Sequence, residues 1–230
     1  MLDPGLYIVS TPIGNLEDIT LRALRVLKEA DFVICEDTRH TGLLLHHYQI
    51  DARFLSYHEH NKLQRTPELL EMLRQGKSLA LASDAGTPGI SDPGFYLIRA
   101  AIEKGHTVHP VPGASALLSA LVVSGLPSDH FVFEGFLPKR DGRKLKRLNA
   151  LVGQERTIVF FESPHRVSKT LGQFLEVFGD RRMVLARELT KKFEEAIRGR
   201  ISEVIAELER RTLKGEMVLI VAGYERPDEE

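Results

Sequence analysis

Four short apolar runs alternate with helix-patterned segments through the first half of the chain: LYIVS (6–10), FVICE (32–36), SLALAS (78–83) and TVHPV (107–111). Strands separated by helices of ten or more residues do not pair as hairpins; they pair in parallel and are covered on both faces. That accounts for runs that are almost wholly apolar. The intervening segments carry helix signals. Leu21, Leu24 and Leu27 recur every three residues between 20 and 30. In TPELLEMLRQG (66–76), Thr66 precedes Pro67 in the first helical turn and Gly76 ends the segment. PGFYLIRAAIEKG stops at Gly105, and GASALLSALVVSG gives one more helix. The predicted fold class is α/β.

SGLPSD (124–129) is a turn-rich hinge, after which the pattern restarts. FVFEGF, TIVFFES, RMVLARE and GEMVLIVAG read as strands, KKFEEAIRGR as an extended segment, and 141–152, 164–177 and 201–211 as helices. Some of these strands are expected to be antiparallel. With 230 residues, 43% of them hydrophobic, the chain can bury one large or two small cores, and the hinge favours two. Two α/β domains are therefore expected, 1–124 and 125–230.

Composition narrows the function classes. No apolar run reaches the roughly 18 residues of a membrane span, the opening MLDPGLYIVSTPIGN lacks a basic leader, and the single cysteine, Cys35, fits a reducing compartment. A cytoplasmic protein is expected. Lysine plus arginine (31) balance aspartate plus glutamate (32), so net charge gives no global pull towards nucleic acid. Positive charge is instead local: KRDGRKLKR (139–147) holds six cations and one anion.

Ligands of open α/β sheets bind beyond the carboxyl ends of the strands, and turn-rich segments stand there. STPIGNLEDIT, EDTRHT, SDAGTPGISDPG and PGASA each follow one of the first four apolar runs. Taken singly, each reads equally as a turn with a helix cap, with Asp18 or Ser91 satisfying free N–H groups. SDAGTPGISDPG (83–94) is longer than the two to six residues a simple connection needs. Its glycines permit positive φ or close backbone approach, and Asp84 and Asp92 suit hydroxyls or a cationic centre. There is no GxGxxG, no GxxxxGK[ST] and no G-x-S-x-G. His40, His46, His47, His58 and His60 lack metal-ligand spacing, so no metal is expected.

STPIGNLEDITLRA, CEDTRHT, SDAGTPGISDPG, PGASA, FFESPHR, ARELTK and GEMVLIVAG together resemble the ribosomal RNA small subunit methyltransferase I family of the tetrapyrrole methylase superfamily, in order, from Leu6 to Gly223. The resemblance implies two α/β domains with S-adenosylmethionine in a cleft between them, and a homodimer. It implies methylation of a cytidine ribose 2′-oxygen in small-subunit (16S) ribosomal RNA, near the decoding site. Several family members carry a further C-terminal segment after the last of these motifs. On that reading, RNA contact here falls to the dimer surface and to 139–147.

On this resemblance, backbone at Pro12, Ala85, Gly86 and Thr87 is expected to meet the methionine part of the cofactor. Ala114, Ser115, Val221 and Ala222 are expected to wall its adenine or ribose, with Phe161 as an apolar cover. Glu36, Asp37, Arg39 and His40, then Glu162, His165 and Arg166, then Glu188 and Lys191 follow strand ends. Among them Asp37, Glu162 or His165 is expected to take the ribose proton, while Arg39, Arg166 and Lys191 hold phosphate or orient the ribose. For the three glutamates a salt-bridging role weighs at least as much. Lys139, Arg140, Arg143, Lys144, Lys146 and Arg147 are expected to meet the RNA backbone, with the small ribosomal subunit as partner. A methyltransferase acting on a tetrapyrrole-like small molecule and a non-catalytic ribosome-binding protein are the competing readings.

Overall fold

The computed structural model describes residues 2–211 and 214–225. The chain divides into two compact units, Met1–Ser115 and Ala116–Glu230. Residues 226–230 of the acidic closing segment lie outside the described residues.

The first unit runs β1 (Gly5–Val9), α1 (Leu21–Glu29), β2 (Phe32–Cys35), α2 (Thr38–His47), β3 (Phe54–Ser56), α3 (Lys62–Arg74), β4 (Ser78–Ala82), α4 (Gly94–Glu103) and β5 (Val108–Val111). Its sheet has the order β3-β2-β4-β1-β5, with every neighbouring pair parallel. Alternate residues serve two cores. Tyr7, Val9, Val33, Ala80 and Ala82 pack with Val26 and Leu27 of α1 and Leu45 of α2. Leu6, Ile34, Leu79 and Leu81 pack with Leu69 and Leu73 of α3 and Leu97 of α4. Burial on both faces is why these strands show no polar alternation.

Two elements of this unit were not expected. β3 has only three residues, too short to register as an apolar run. α2 begins inside what read as a loop, where the Asp37 side chain accepts a hydrogen bond from Arg39 N at 2.9 Å and caps the helix.

The second unit runs α5 (Ala116–Ser124), β6 (Phe131–Phe136), α6 (Asp141–Asn149), β7 (Thr157–Glu162), α7 (Val167–Phe178), β8 (Arg182–Arg187), β9 (Glu195–Arg200), α8 (Ile201–Arg210) and β10 (Met217–Val221). The helix α5, expected at the end of the first domain, packs on β8, β9 and β10. The sheet order is β6-β7-β10-β8-β9. β6 and β7 are parallel, and the other pairs are antiparallel. Leu148 of α6, Leu171 and Phe174 of α7 and Val204 of α8 cover one face, over Ile158, Phe160, Leu185 and Leu219.

Strand polarity decides what meets at each edge. β6, β7 and β8 end at the same edge, where β9 and β10 begin. The residues around Glu162, Glu188 and Glu216 therefore stand together.

Candidate functional site

Three loops interlock at the carboxyl edge of the first sheet. Thr11 and Gly86 form an isolated antiparallel bridge, with N to O distances of 2.9 and 3.1 Å. Ser10 Oγ and Thr87 Oγ1 share a hydrogen bond at 2.9 Å, and Thr11 Oγ1 donates to Ser83 O at 2.9 Å. The third loop closes against the first: a Cβ on Gly113 would stand 3.0 Å from Ser10 Cβ, tighter than ordinary contact. Gly86 has φ +80°, a conformation that favours glycine, and its missing Cβ would meet only Ile13 and the Ala114 carbonyl at 3.5 Å or more. Pro12 is buried, Ala85 is exposed, and Thr87, Ala114 and Ser115 are half-buried around the junction. The expected cofactor residues of this unit thus belong to one loop cluster.

Asp92 organises the long loop. Its Oδ1 accepts from Gly89 N and Gly94 N, both at 2.7 Å, so that oxygen serves the backbone. Burial pushes its carboxyl up, with Asp84 adding to the rise against these hydrogen bonds. Asp84 Oδ1 accepts from Asp37 N at 3.3 Å and links the ends of β4 and β2. Glu36 stands beside them, and burial together with the Asp84 and Asp92 charges raises its pKa. Asp37 behaves oppositely. Arg39 grips it through Nε at 3.0 Å and Nη2 at 2.7 Å, holding its carboxyl far below the usual range. A carboxylate so held is a poor proton acceptor: Asp37 caps the helix, and the Arg39 guanidinium pairs with it at the surface. Glu36 is the more basic neighbour; its position at a strand end was legible, its crowding by two carboxylates distant in sequence, Asp84 and Asp92, was not.

In the second unit Glu162 is 2% exposed. Its Oε1 accepts from Ser163 N at 2.8 Å and its Oε2 from Thr170 Oγ1 at 2.7 Å. Lys144, also 2% exposed, donates from Nζ to the same Thr170 hydroxyl at 3.1 Å. Arg166 Nε lies 3.5 Å from Glu162 Oε1, while its Nη2 donates to Leu137 O at 2.9 Å and Pro138 O at 3.3 Å. This corrects three expectations. Lys144 is on the inner face of α6 and does not reach a surface ligand; burial and the Arg166 charge lower its pKa, against the raising effect of Glu162 and Asp141. Glu162 and Arg166 form an internal hub rather than a free acid–base pair. Among the described residues Lys139, Arg140, Arg143 and Lys146 are exposed and make no ion pair, whereas Arg147 grips Glu134 at 2.6 and 2.7 Å. His165 is exposed.

At the same edge Glu188, at φ +48°, accepts from Lys191 Nζ and Glu216 N, each at 3.2 Å. Burial pulls Lys191 down, but Glu188 and Glu216 outweigh it and leave its pKa raised. Gly215 has φ +90°, and a Cβ there would fall inside the Glu188 carboxylate. That is the steric tie between ARELTK and GEMVLIVAG. Phe161 is half-buried, edge-to-face with Phe133 at 5.0 Å and tilted against Phe136 at 5.5 Å. Val221 and Ala222 do not join it. β10 is antiparallel to β7, so Val221 pairs with Ile158 near the opposite edge and packs in the helix-covered core. Among the described residues no group of His, Cys, Asp or Glu could hold a metal ion, and no helix is long and apolar enough to cross a membrane.

Comparison with known proteins places this architecture. A family model described as Tetrapyrrole (Corrin/Porphyrin) Methylases matches residues 5–205. A ribosomal RNA small subunit methyltransferase I from Streptococcus pyogenes is 51% identical over 218 residues, 95% of this chain and 76% of that protein. One from Thermotoga maritima is 48% identical over 96% of this chain and 99% of its own length. The chain belongs to the ribosomal RNA small subunit methyltransferase I family. Within the wider tetrapyrrole methylases the same fold recurs at low identity. Uroporphyrin-III C-methyl transferase from Thermus thermophilus, complexed with S-adenosylhomocysteine, superposes with a TM-score of 0.66 at 21% identity, over 95% of this chain and 97% of that one. Cobalt precorrin-4 methyltransferase gives 0.69 at 17% identity, over 94% of each chain. The family's fold is thus two α/β units of tetrapyrrole-methylase type, as the resemblance implied.

Proposed function

We propose that this chain transfers a methyl group from S-adenosylmethionine to the ribose 2′-oxygen of a cytidine in the decoding region of 16S ribosomal RNA. It acts on the small ribosomal subunit, as a cytoplasmic homodimer. The observation that carries the reading is the near-full-length identity of about half with proteins named ribosomal RNA small subunit methyltransferase I.

The loop cluster fits the donor. Gly86, buried and bonded to Thr11 through both its N–H and its C=O, lets the loops close together, and Glu36, Asp84 and Asp92 put negative charge where a cationic donor is stabilised. Pro12, Ala85, Gly86, Thr87, Ala114 and Ser115 are the residues that would hold it. When bound, S-adenosylmethionine supplies a sulfonium-activated methyl group. The chain's own residues align the ribose oxygen with it, a positioning effect that can be worth several kcal/mol. A general base typically adds roughly 10²–10⁴-fold, and Glu36 is the carboxylate at this edge whose environment favours receiving a proton. Lys139, Arg140, Arg143 and Lys146 would hold the RNA backbone by charge. The exposed Leu118 and Val122 of α5 supply apolar surface for a second copy.

Purified chain with labelled S-adenosylmethionine and small-subunit particles from cells lacking this enzyme tests the reading. Label in the RNA supports it. Binding of S-adenosylmethionine with unlabelled particles would favour the small-molecule enzyme or the non-catalytic binder.

A further inference from the structure

The carboxyl edge of the second sheet carries an unusual pair of side chains. Phe136, the last residue of β6, is 57% exposed, and Phe193, two residues before β9, is 64% exposed. These lie at the two outer strands, whose ends stand about four strand spacings, roughly 19 Å, apart. Phe136 meets the tilted ring of Phe161, which in turn meets Phe133, so it is anchored at one edge and more than half exposed. Lys192 Nζ lies 5.7 Å from the Phe193 ring centroid.

Unpaired positive charge gathers at the Phe136 end, whereas at the Phe193 end Lys192 is offset by Glu194 and by the carboxylates around Lys191 and Arg211. Lys191 takes Glu188 and Glu216, Arg187 and Arg211 take Glu195, Arg147 takes Glu134, and Lys169 takes Asp141. Glu194 turns one oxygen to Thr190 N. Among the described residues Lys139, Arg140, Arg143 and Lys192 have no ion-pair partner. Cations interleaved with exposed aromatic rings complement a single-stranded nucleic acid: the cations meet phosphates and each ring offers a face to an unstacked base.

We propose that Phe136 and Phe193 are base-stacking platforms at the two ends of an RNA-docking edge formed by residues 136–143 and 192–193. The proposal rests on the ribosomal RNA reading above and adds that the RNA segment held there is unpaired. Neither phenylalanine belongs to the expected RNA set, which was drawn from charge and the family resemblance.

The test uses the full chain with Phe136→Leu and Phe193→Leu, which keep apolar bulk and remove the ring, and with Trp at each position. Methyl transfer to unmodified small-subunit particles is measured for KM and kcat, with S-adenosylmethionine affinity and sedimentation alongside. Each Leu variant is expected to raise the particle KM about tenfold. Cofactor affinity stays within about twofold of wild type, Trp restores KM, and the salt dependence of KM keeps its slope because no phosphate contact is lost. Wild-type KM in both Leu variants would overturn the docking edge while leaving the ribosomal RNA reading intact. Altered sedimentation with unchanged particle KM would overturn it in favour of a protein–protein surface. A wild-type chain that binds S-adenosylmethionine and never labels the particle would sink the reading itself, and the docking edge with it.

Discussion

Glu162→Gln removes the one anion that Lys144 faces through the Thr170 hydroxyl. In the native hub Lys144 is 2% exposed and its Nζ hydrogen-bonds Thr170 Oγ1 at 3.1 Å, which donates to Glu162 Oε2 at 2.7 Å. With glutamine the buried ammonium keeps only the smaller attraction of Asp141, and a buried charge that loses its partner typically costs about 3–5 kcal/mol. Lys144 has an escape, which is to shed its proton. For an ordinary lysine near 10.4 that costs about 1.36 kcal/mol for each of the roughly three units down to pH 7.5, so the penalty is capped at about 4 kcal/mol. A loss of about 3 kcal/mol is expected, lowering Tm by roughly 6–12 °C for a chain of this size.

The sign of the pH dependence follows. Lys144 in the folded variant has a pKa below its unfolded value, so between the two the unfolded chain binds more protons and stability rises with pH. The deficit is therefore largest at neutral pH and shrinks towards pH 10. Adding Lys144→Met removes the stranded charge and should recover at least about half of the loss. Urea unfolding followed by circular dichroism at pH 7.5 and 9.5 reads this directly; the chain has no tryptophan to report by fluorescence. A double variant whose loss equals the sum of the singles, or a Glu162→Gln deficit independent of pH, would refute the hub.

Other consequences can be checked separately. Gly215→Ala puts a methyl group into the Glu188 carboxylate at φ +90° and should cost about 2 kcal/mol or more by urea unfolding. Asp92→Ala strands Gly89 N and Gly94 N, with an expected loss of about 2 kcal/mol or more, whereas Asp92→Asn keeps an acceptor for both. Because burial raises Asp92, wild-type stability should gain as pH falls through its folded pKa towards about 4, and Asp92→Asn should lack that gain in pH-dependent denaturation. Replacing Arg140, Arg143 and Lys146 together should raise the particle KM and flatten its salt dependence by about two to three units of log–log slope, with cofactor affinity unchanged by calorimetry. Glu36→Gln should lower kcat by about 10²-fold or more with little change in the particle KM, read in single-turnover methyl transfer.

Much of the fold was legible because its cause is local. Apolar runs spaced by helix-length segments dictate a parallel sheet, and the turn chemistry of SDAGTPGISDPG marks where its loops meet. The helix α2 was obscured because Gly42 and three histidines blur its apolar face, although the Asp37 cap was in plain view. The inward turn of Lys144 was not legible, since its partners Glu162, Arg166 and Thr170 come from another strand and helix. Val221 and Ala222 were grouped with the other motifs through the family resemblance. Only the antiparallel polarity of β10 sends them to the opposite edge. Residue type and spacing thus located the loops, while long-range pairing decided which charges remain available for chemistry.

The most direct measurement is the position of the methyl group. Small-subunit particles from cells lacking the enzyme are incubated with the chain and labelled S-adenosylmethionine, and the RNA is hydrolysed in alkali, which cannot cleave next to a 2′-O-methyl ribose. The account predicts that the label emerges in one alkali-resistant dinucleotide headed by cytidine. Label released on a mononucleotide base, or no label in the RNA at all, would contradict it.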